Sequence, residues 1–127
     1  MAKAKVKYVD GFVFTVKKTK LADYKKMAAI GKKVWMKHGA LGYKECVIND
    51  RSPKWITLTF PKLTKAKPNE VVCFSYIEYK SKKHRDQVNA KVMKDEEMQP
   101  PKDHKESGMP FDMKKMAFGG FEVIVGD

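Results

Sequence analysis

The stretch YVDGFVFTV, residues 8–16, decides the fold. Its alternation predicts a β-strand in which Phe12, Phe14 and Val16 point to one side. Val9 and Val13 point to the other side, so both faces of the strand are apolar. A strand with two apolar faces must be covered twice, and the fold has to supply both covers.

The remaining chain reads as two amphipathic helices separated by further strands. The first helix is predicted from a Thr19 N-cap to a Gly39 C-cap, and the second begins after a Ser81 N-cap. Apolar runs in the intervening and final segments predict the other strands. In chain order we expect a strand at 8–16, a helix within 17–39, strands at 41–49 and 54–60, a loop at 61–70, a strand at 71–79, a helix at 81–98, a surface loop at 99–116 and a strand at 117–125.

This order predicts a single α+β domain over residues 1–127, because the chain has the length of one domain. Right-handed crossovers would give a ferredoxin-like βαββαβ protomer with an antiparallel sheet. The first strand would lie at the centre, paired with strand 71–79 on one side and with the last strand on the other. Both helices would cover one face, which leaves the second face of the sheet to be explained.

Two different partners would cover the second face. A second copy of the chain would bury it in a homodimer, with interface residues drawn from Phe12, Val13, Phe14, Phe74 and Tyr76. Alternatively, the aromatic residues of the two central strands would stack RNA bases. The strand EVVCFSYIEY lacks the glycines of that RNA-binding motif and has acidic ends, so the homodimer is favoured.

The charge is the unusual feature of the composition. The chain has 27 basic and 15 acidic residues, a net charge of +12. Such an excess favours polyanions, yet the lysines are spread over all predicted elements, which is typical of a solvated surface. The sequence has no signal-peptide pattern and no stretch of membrane-spanning length, so a cytoplasmic protein without a membrane partner is expected.

Four segments resemble a known family. They are YVDGFVFTV, VWMKHGALGYKEC, RDQVNAKVM and MPFDMKKMAFGGFE, and they follow the family's order over nearly the whole chain. The chain is similar to the YbaA-like family of bacterial proteins of unknown function, in the dimeric α+β barrel superfamily. The resemblance implies a homodimer of ferredoxin-like protomers. It implies no activity, since members of the superfamily range from cofactor-independent oxygenases to simple binders.

Four residues are candidates for acid–base chemistry. His38 would end the first helix, where an imidazolium beside the terminal carbonyl groups is the alternative, structural interpretation. Tyr43 and Glu45 share one face of the second strand, and Asp10 interrupts the apolar run of the first. A carboxylate in a partly buried sheet is a candidate for a raised pKa, although pairing with a lysine or arginine is the simpler explanation.

Three further residues are candidates for ligand binding. Arg85 could bind an anion, Asn89 could orient a ligand, and Trp35 could line a cleft or anchor the core. The three histidines lack the spacing of a metal site, and the sequence has no recognisable cofactor motif. We therefore expect no metal and no cofactor.

The leading hypothesis is a small homodimer that binds a small molecule between the sheet and its helices, with cofactor-free chemistry left open. The alternative is an RNA-binding module that uses the basic surface and the sheet aromatics, and nucleic acid is the less favoured partner.

Overall fold

The computed structural model describes residues 4–98 and 111–127 of the chain. The strands are β1 Tyr8–Lys17, β2 Gly42–Val47, β3 Glu70–Tyr79 and β4 Ala117–Glu122, and the helices are α1 Leu21–Lys37, α2 Phe60–Thr64 and α3 Lys82–Lys94. The described chain thus combines four strands with three α-helices, which is an α+β fold.

The four strands form one antiparallel sheet in the order β2-β3-β1-β4. The strands predicted at 8–16, 41–49, 71–79 and 117–125 are confirmed, with their ends trimmed or extended by a few residues. The predicted central position of β1, between β3 and β4, is also confirmed. The side chains on both sides of β1 therefore lie near the middle of the sheet, and each side needs a layer that covers it.

The helix ends follow local capping chemistry, with one correction. The Ser81 hydroxyl accepts a hydrogen bond from the backbone N–H of His84, which confirms the predicted cap of α3. Gly39, which follows the C-cap residue His38, adopts a positive φ of 110°, as expected of a glycine that ends a helix. The predicted Thr19 cap is wrong: Thr19 lies in a short 3-10 turn, and Lys20 precedes α1 without a side-chain cap.

The strand predicted at 54–60 is wrong. Residues 54–59 form turns and irregular chain, and α2 begins at Phe60, inside the predicted strand. Pro61 favours a helix start because it has no N–H to lose in the first turn, and the Thr59 side chain accepts a hydrogen bond from the N–H of Lys62. The predicted loop at 61–70 therefore contains most of a short helix.

The loop predicted at 99–116 falls mainly on residues 99–110, which lie outside the described residues. Its last part packs inward. Phe111 forms an isolated bridge with Val16 of β1, and its ring contacts the rings of Phe14 and Tyr24. This end of the segment is therefore part of the core and not only a surface loop.

One face of the sheet is covered by α1 and α3, and we call it the helix-covered face. Phe14 of β1 is 1% exposed and packs edge-on against Tyr24 of α1. The core on this face divides into two clusters: one is Val34, Ala40, Ile77, Tyr79, Val88 and Val92, and the other is Phe14, Val16, Tyr24, Ala28 and Cys73.

The opposite face, which we call the open face, is covered only at one end. There α2 packs against β1 and β3, and Val72 is 2% exposed. Towards the other end the side chains are more accessible, and Phe74 is 41% exposed within the chain. The apolar side chains of the open face include Val9, Val13, Phe74, Tyr76 and Phe121. The segment that sequence analysis predicted as strand and loop thus supplies part of the second cover.

The strand register corrects the predicted aromatic platform for RNA. Phe14 lies opposite Cys73 in the β1–β3 pair, so Phe14 and Phe74 point to different faces. Phe12 likewise shares its face with Phe14, and Tyr76 shares its face with Phe74. The four aromatic residues do not form one stacking surface, and that prediction is wrong.

The same register divides the predicted interface residues. Val13, Phe74 and Tyr76 lie on the open face, where a second copy could reach them. Phe12 and Phe14 lie on the helix-covered face, packed against residues of the same chain. Which parity faces a partner was left open by the sequence, and an interface formed by the open face would include Val13, Phe74 and Tyr76 but not Phe12 or Phe14.

Within the described residues, none of the helices combines the length and the apolar character needed to cross a lipid bilayer.

Candidate ligand-binding site

A cavity of about 940 Å³ lies between the sheet and the helices, on the helix-covered face. Residues of both core clusters border it, so the cavity accounts for the division of the core. Its size is at the upper end of the range for small-molecule sites. The described lining residues are Asp10, Phe12, Phe14, Tyr24, Met27, Ala28, Ile30, Gly31, Trp35, Tyr43, Glu45, Ser75, Ile77, Asn89, Met93, Glu97, Met98, Phe111, Met113, Met116 and Phe118.

Glu45 of β2 is held by two tyrosines in this cavity. The Tyr24 hydroxyl donates to Glu45 Oε2 at 2.5 Å, and the Tyr43 hydroxyl donates to Oε1 at 2.8 Å. Burial, reinforced by the Glu45 carboxylate, raises the pKa of both tyrosines far above the usual range. Both hydroxyls therefore remain protonated donors, which is the arrangement an ionised carboxylate favours.

Gly31 of α1 permits this arrangement. A Cβ at this position would lie 2.8 Å from the Tyr43 hydroxyl oxygen and 3.8 Å from the Trp35 ring. Only a residue without a side chain lets the Tyr43 hydroxyl approach the helix so closely. The glycine therefore makes room for the Tyr43 hydroxyl, which lies between α1 and Glu45.

Asp10 of β1 is 2% exposed and pairs with Arg85 of α3. Arg85 Nη1 donates to Asp10 Oδ1 at 3.0 Å, and its guanidinium stacks over the Tyr8 ring at 5.1 Å. Burial raises the pKa of Asp10, and the neighbouring Arg85 opposes that shift. Arg85 serves here as the partner of a buried carboxylate, and it is not among the cavity-lining residues.

Trp35 and Asn89 lie together on the wall of the cavity. The indole N–H of Trp35 donates to Asn89 Oδ1 at 3.1 Å, and the Tyr79 hydroxyl donates to the same oxygen at 3.4 Å. The Asn89 carbonyl is thereby occupied, and its amide N–H groups are the part of the side chain still able to serve a ligand.

His38 lies outside the cavity lining, at the end of α1. Its Nε2 is 2.7 Å from Asp95 Oδ2, and the Lys37 ammonium contacts the same carboxylate at 2.7 Å. These two hydrogen bonds, with the Lys37 bond the stronger influence, hold the pKa of Asp95 well below its usual range. His38 and Lys37 thus connect the end of α1 to Asp95 at the end of α3.

Of the seven residues predicted for acid–base chemistry or ligand binding, five line the cavity: Asp10, Trp35, Tyr43, Glu45 and Asn89. Sequence reasoning missed Tyr24 and Ser75, because neither stands out in its own segment. The sequence of α1 does indicate a cavity, because the small residues Ala28 and Gly31 lie between Tyr24 and Trp35 on one face of the helix. Small residues between two aromatic residues leave room beneath a helix.

Fold and site together define a small α+β protein with a cavity between its sheet and its helices. The family model described as "Protein of unknown function (DUF1428)" matches residues 7–113, and the chain belongs to this family. It is 44% identical over 122 residues to "Uncharacterized protein YbaA" of Escherichia coli strain K12. The alignment covers 96% of this chain and 100% of the relative. The same values relate it to the protein of that name in Shigella flexneri.

Proposed function

We propose that the protein is a cytoplasmic homodimer that binds a small, largely apolar molecule in the cavity of each protomer. The observation that carries the binding proposal is the cavity itself, about 940 Å³ lined by aromatic and methionine side chains around a few polar groups. Methionine side chains adapt to ligands of varied shape, which suits such a site. The free thiols of Cys46 and Cys73 are consistent with a reducing compartment.

The homodimer is proposed from the open face. Phe74 and Phe121 are 41% and 60% exposed there, beside Val9, Val13 and Tyr76. A contiguous apolar surface of this kind marks an interaction site in a folded protein. The strand order β2-β3-β1-β4 suits a ferredoxin-like protomer, and two such sheets packed through their open faces would form a dimeric α+β barrel.

The two tryptophans offer a direct test of ligand binding. Trp35 lines the cavity, whereas Trp55 is 83% exposed. In the Trp55→Phe variant, Trp35 is the only fluorophore of its kind, and we expect saturable changes in its emission on titration with the neutral probe phenylbutanol. In the Trp35→Phe variant, the remaining Trp55 should not respond.

Two neighbouring alanines of α1 provide matched controls. Ala28 is buried and lines the cavity, whereas Ala29 is exposed. Ala28→Trp should weaken phenylbutanol binding at least about tenfold by occupying the cavity, and Ala29→Trp should leave it unchanged. These substitutions are made in the Trp55→Phe background, and binding is followed by calorimetry because they add a fluorophore. Equal binding by both variants would contradict the proposed site.

A further inference from the structure

The charges lining the cavity run against the charge of the whole protein. The chain carries a net charge of +12. Yet the described lining residues include three carboxylates, those of Asp10, Glu45 and Glu97, and no lysine, arginine or histidine. The described lining of the cavity therefore has the opposite sign of charge to the chain as a whole.

Two of the three carboxylates already have a cationic partner. Asp10 pairs with Arg85 at 3.0 Å, and Glu97 lies 3.2 Å from the Lys33 ammonium. Within residues 4–98 and 111–127, Glu45 has no ion-pair partner, and its two oxygens accept only the neutral hydroxyls of tyrosines. Glu45 is thus the lining carboxylate whose charge no described residue of the chain balances.

The surroundings of Glu45 favour a donor on the ligand. An ionised carboxylate has about four acceptor positions, and the two tyrosine hydroxyls occupy two of them. Ser75, which is 5% exposed, lies opposite Glu45 in the β2–β3 register and also lines the cavity. The aromatic rings of Trp35 and Phe12 form nearby walls, and such rings attract organic cations.

We propose that the cavity selects an amphipathic organic amine, whose protonated nitrogen binds Glu45 while its apolar part lies among the aromatic and methionine side chains. This inference rests on the proposed function and names the ligand class for it. An ammonium would supply the missing charge and donate to the free positions of Glu45. An anionic ligand of the same shape would be repelled.

The test compares three probes with one apolar part and different head groups: phenylbutylamine, phenylbutanol and phenylbutyrate. Binding to the Trp55→Phe variant is followed through Trp35. The amine should bind at least about tenfold more tightly than the alcohol, as expected for a charge-assisted hydrogen bond, and the carboxylate should bind most weakly. Equal affinity for amine and alcohol would overturn the inference and leave the proposed function standing. Absence of binding by all three would overturn both.

Variants test whether Glu45 is the source of the preference for the amine over the alcohol. Glu45→Gln keeps the shape of the side chain, and it should reduce the amine preference to about twofold or less with little change in alcohol affinity. Asp23→Asn, which removes an exposed carboxylate elsewhere on α1, should retain the full preference. An undiminished preference in Glu45→Gln, or an equal loss of the preference in Asp23→Asn, would overturn the assignment to Glu45.

Discussion

The helix-covered face and the open face are built from the same strands, but their central side chains differ in kind. On the helix-covered face, Asp10 and Ser75 of the two central strands and Glu45 of the edge strand β2 line the cavity together with aromatic residues. At the middle of the open face, Val13 and Phe74 lie opposite one another, and the acidic residues of β3 stand only at its ends. Carboxylates placed inside a core cost folding free energy, whereas an apolar face gains by being covered. This difference supports our proposal that the helix-covered face holds a small molecule and the open face meets a second copy of the chain.

The largest expected effect comes from removing the charge partner on the helix-covered face. Arg85→Met leaves the Asp10 carboxylate buried without its cation, and we expect a loss of about 3 kcal/mol in the free energy of unfolding near neutral pH. Urea unfolding measures it. Adding Asp10→Asn should recover much of the loss, and a double variant as unstable as Arg85→Met would contradict this account.

The pH dependence of that variant has a defined sign. Burial raises the pKa of Asp10 from its ordinary value of 3.8, and losing Arg85 raises it further. A carboxylate with a raised folded-state pKa binds more protons in the folded state, so stability falls as the pH rises from 3.8 through the folded-state pKa. Arg85→Met should therefore be less destabilised near pH 4 than at neutral pH.

A matched pair on β4 separates the two faces. Phe118 points to the cavity and Phe121 to the open face, and they are 56% and 60% exposed within the chain. Phe121→Ser should weaken dimerisation by about 2 kcal/mol and leave phenylbutanol binding unchanged. Phe118→Ser should weaken phenylbutanol binding by about 1 kcal/mol and leave the dimer intact. Sedimentation and calorimetry provide the two readouts, and identical behaviour of the two variants would erase the distinction.

A smaller effect on stability is expected from removing a single tyrosine hydroxyl on the helix-covered face. Tyr24→Phe removes a 2.5 Å hydrogen bond to Glu45 and should cost about 1.5 kcal/mol of unfolding free energy. Tyr79→Phe removes a longer bond of 3.4 Å to Asn89 and should cost less, about 0.5 kcal/mol. Thermal unfolding compares the two variants. A larger cost for Tyr79→Phe would show that the hydrogen bond from Tyr24 to Glu45 contributes less to stability than its short length indicates.

The smallest effect concerns the partial cover of the open face. Thr59→Ala removes the side-chain acceptor at the start of α2 and should destabilise the protein by about 0.5 kcal/mol, through fraying of the helix that packs against β1 and β3. Thr57→Ala, just before it, removes no hydroxyl cap and should be neutral. A neutral Thr59→Ala would mean that α2 is held by packing alone.

The sheet could be predicted from the sequence because its evidence is local. The alternation in residues 8–16 and 71–79 indicates two-sided strands, and Ser81 and Gly39 mark helix ends within a few residues. The strand predicted at residues 54–60 was wrong because the alternation of side chains in this segment resembles that of a strand. The helical start set by Thr59 and Pro61 overrides that pattern.

The site could be predicted only in part. Tyr43 and Glu45 are two residues apart on one strand, so their contact follows from the pleat. The contacts of Glu45 with Tyr24 and of Asp10 with Arg85 join residues 21 and 75 positions apart. Such contacts depend on how the helices pack on the sheet, which no local pattern encodes.

The central claim is that the two faces have independent occupants, a small molecule on one and a second copy of the chain on the other. Native mass spectrometry of the wild type and of Phe74→Lys, each with phenylbutylamine, tests it directly. The wild type should appear at twice the chain mass of 14.6 kDa with up to two bound amines. Phe74→Lys, which places a charge on the open face, should appear as a monomer that still binds one amine. A monomeric wild type, or a monomeric Phe74→Lys that has lost the amine, would contradict the account.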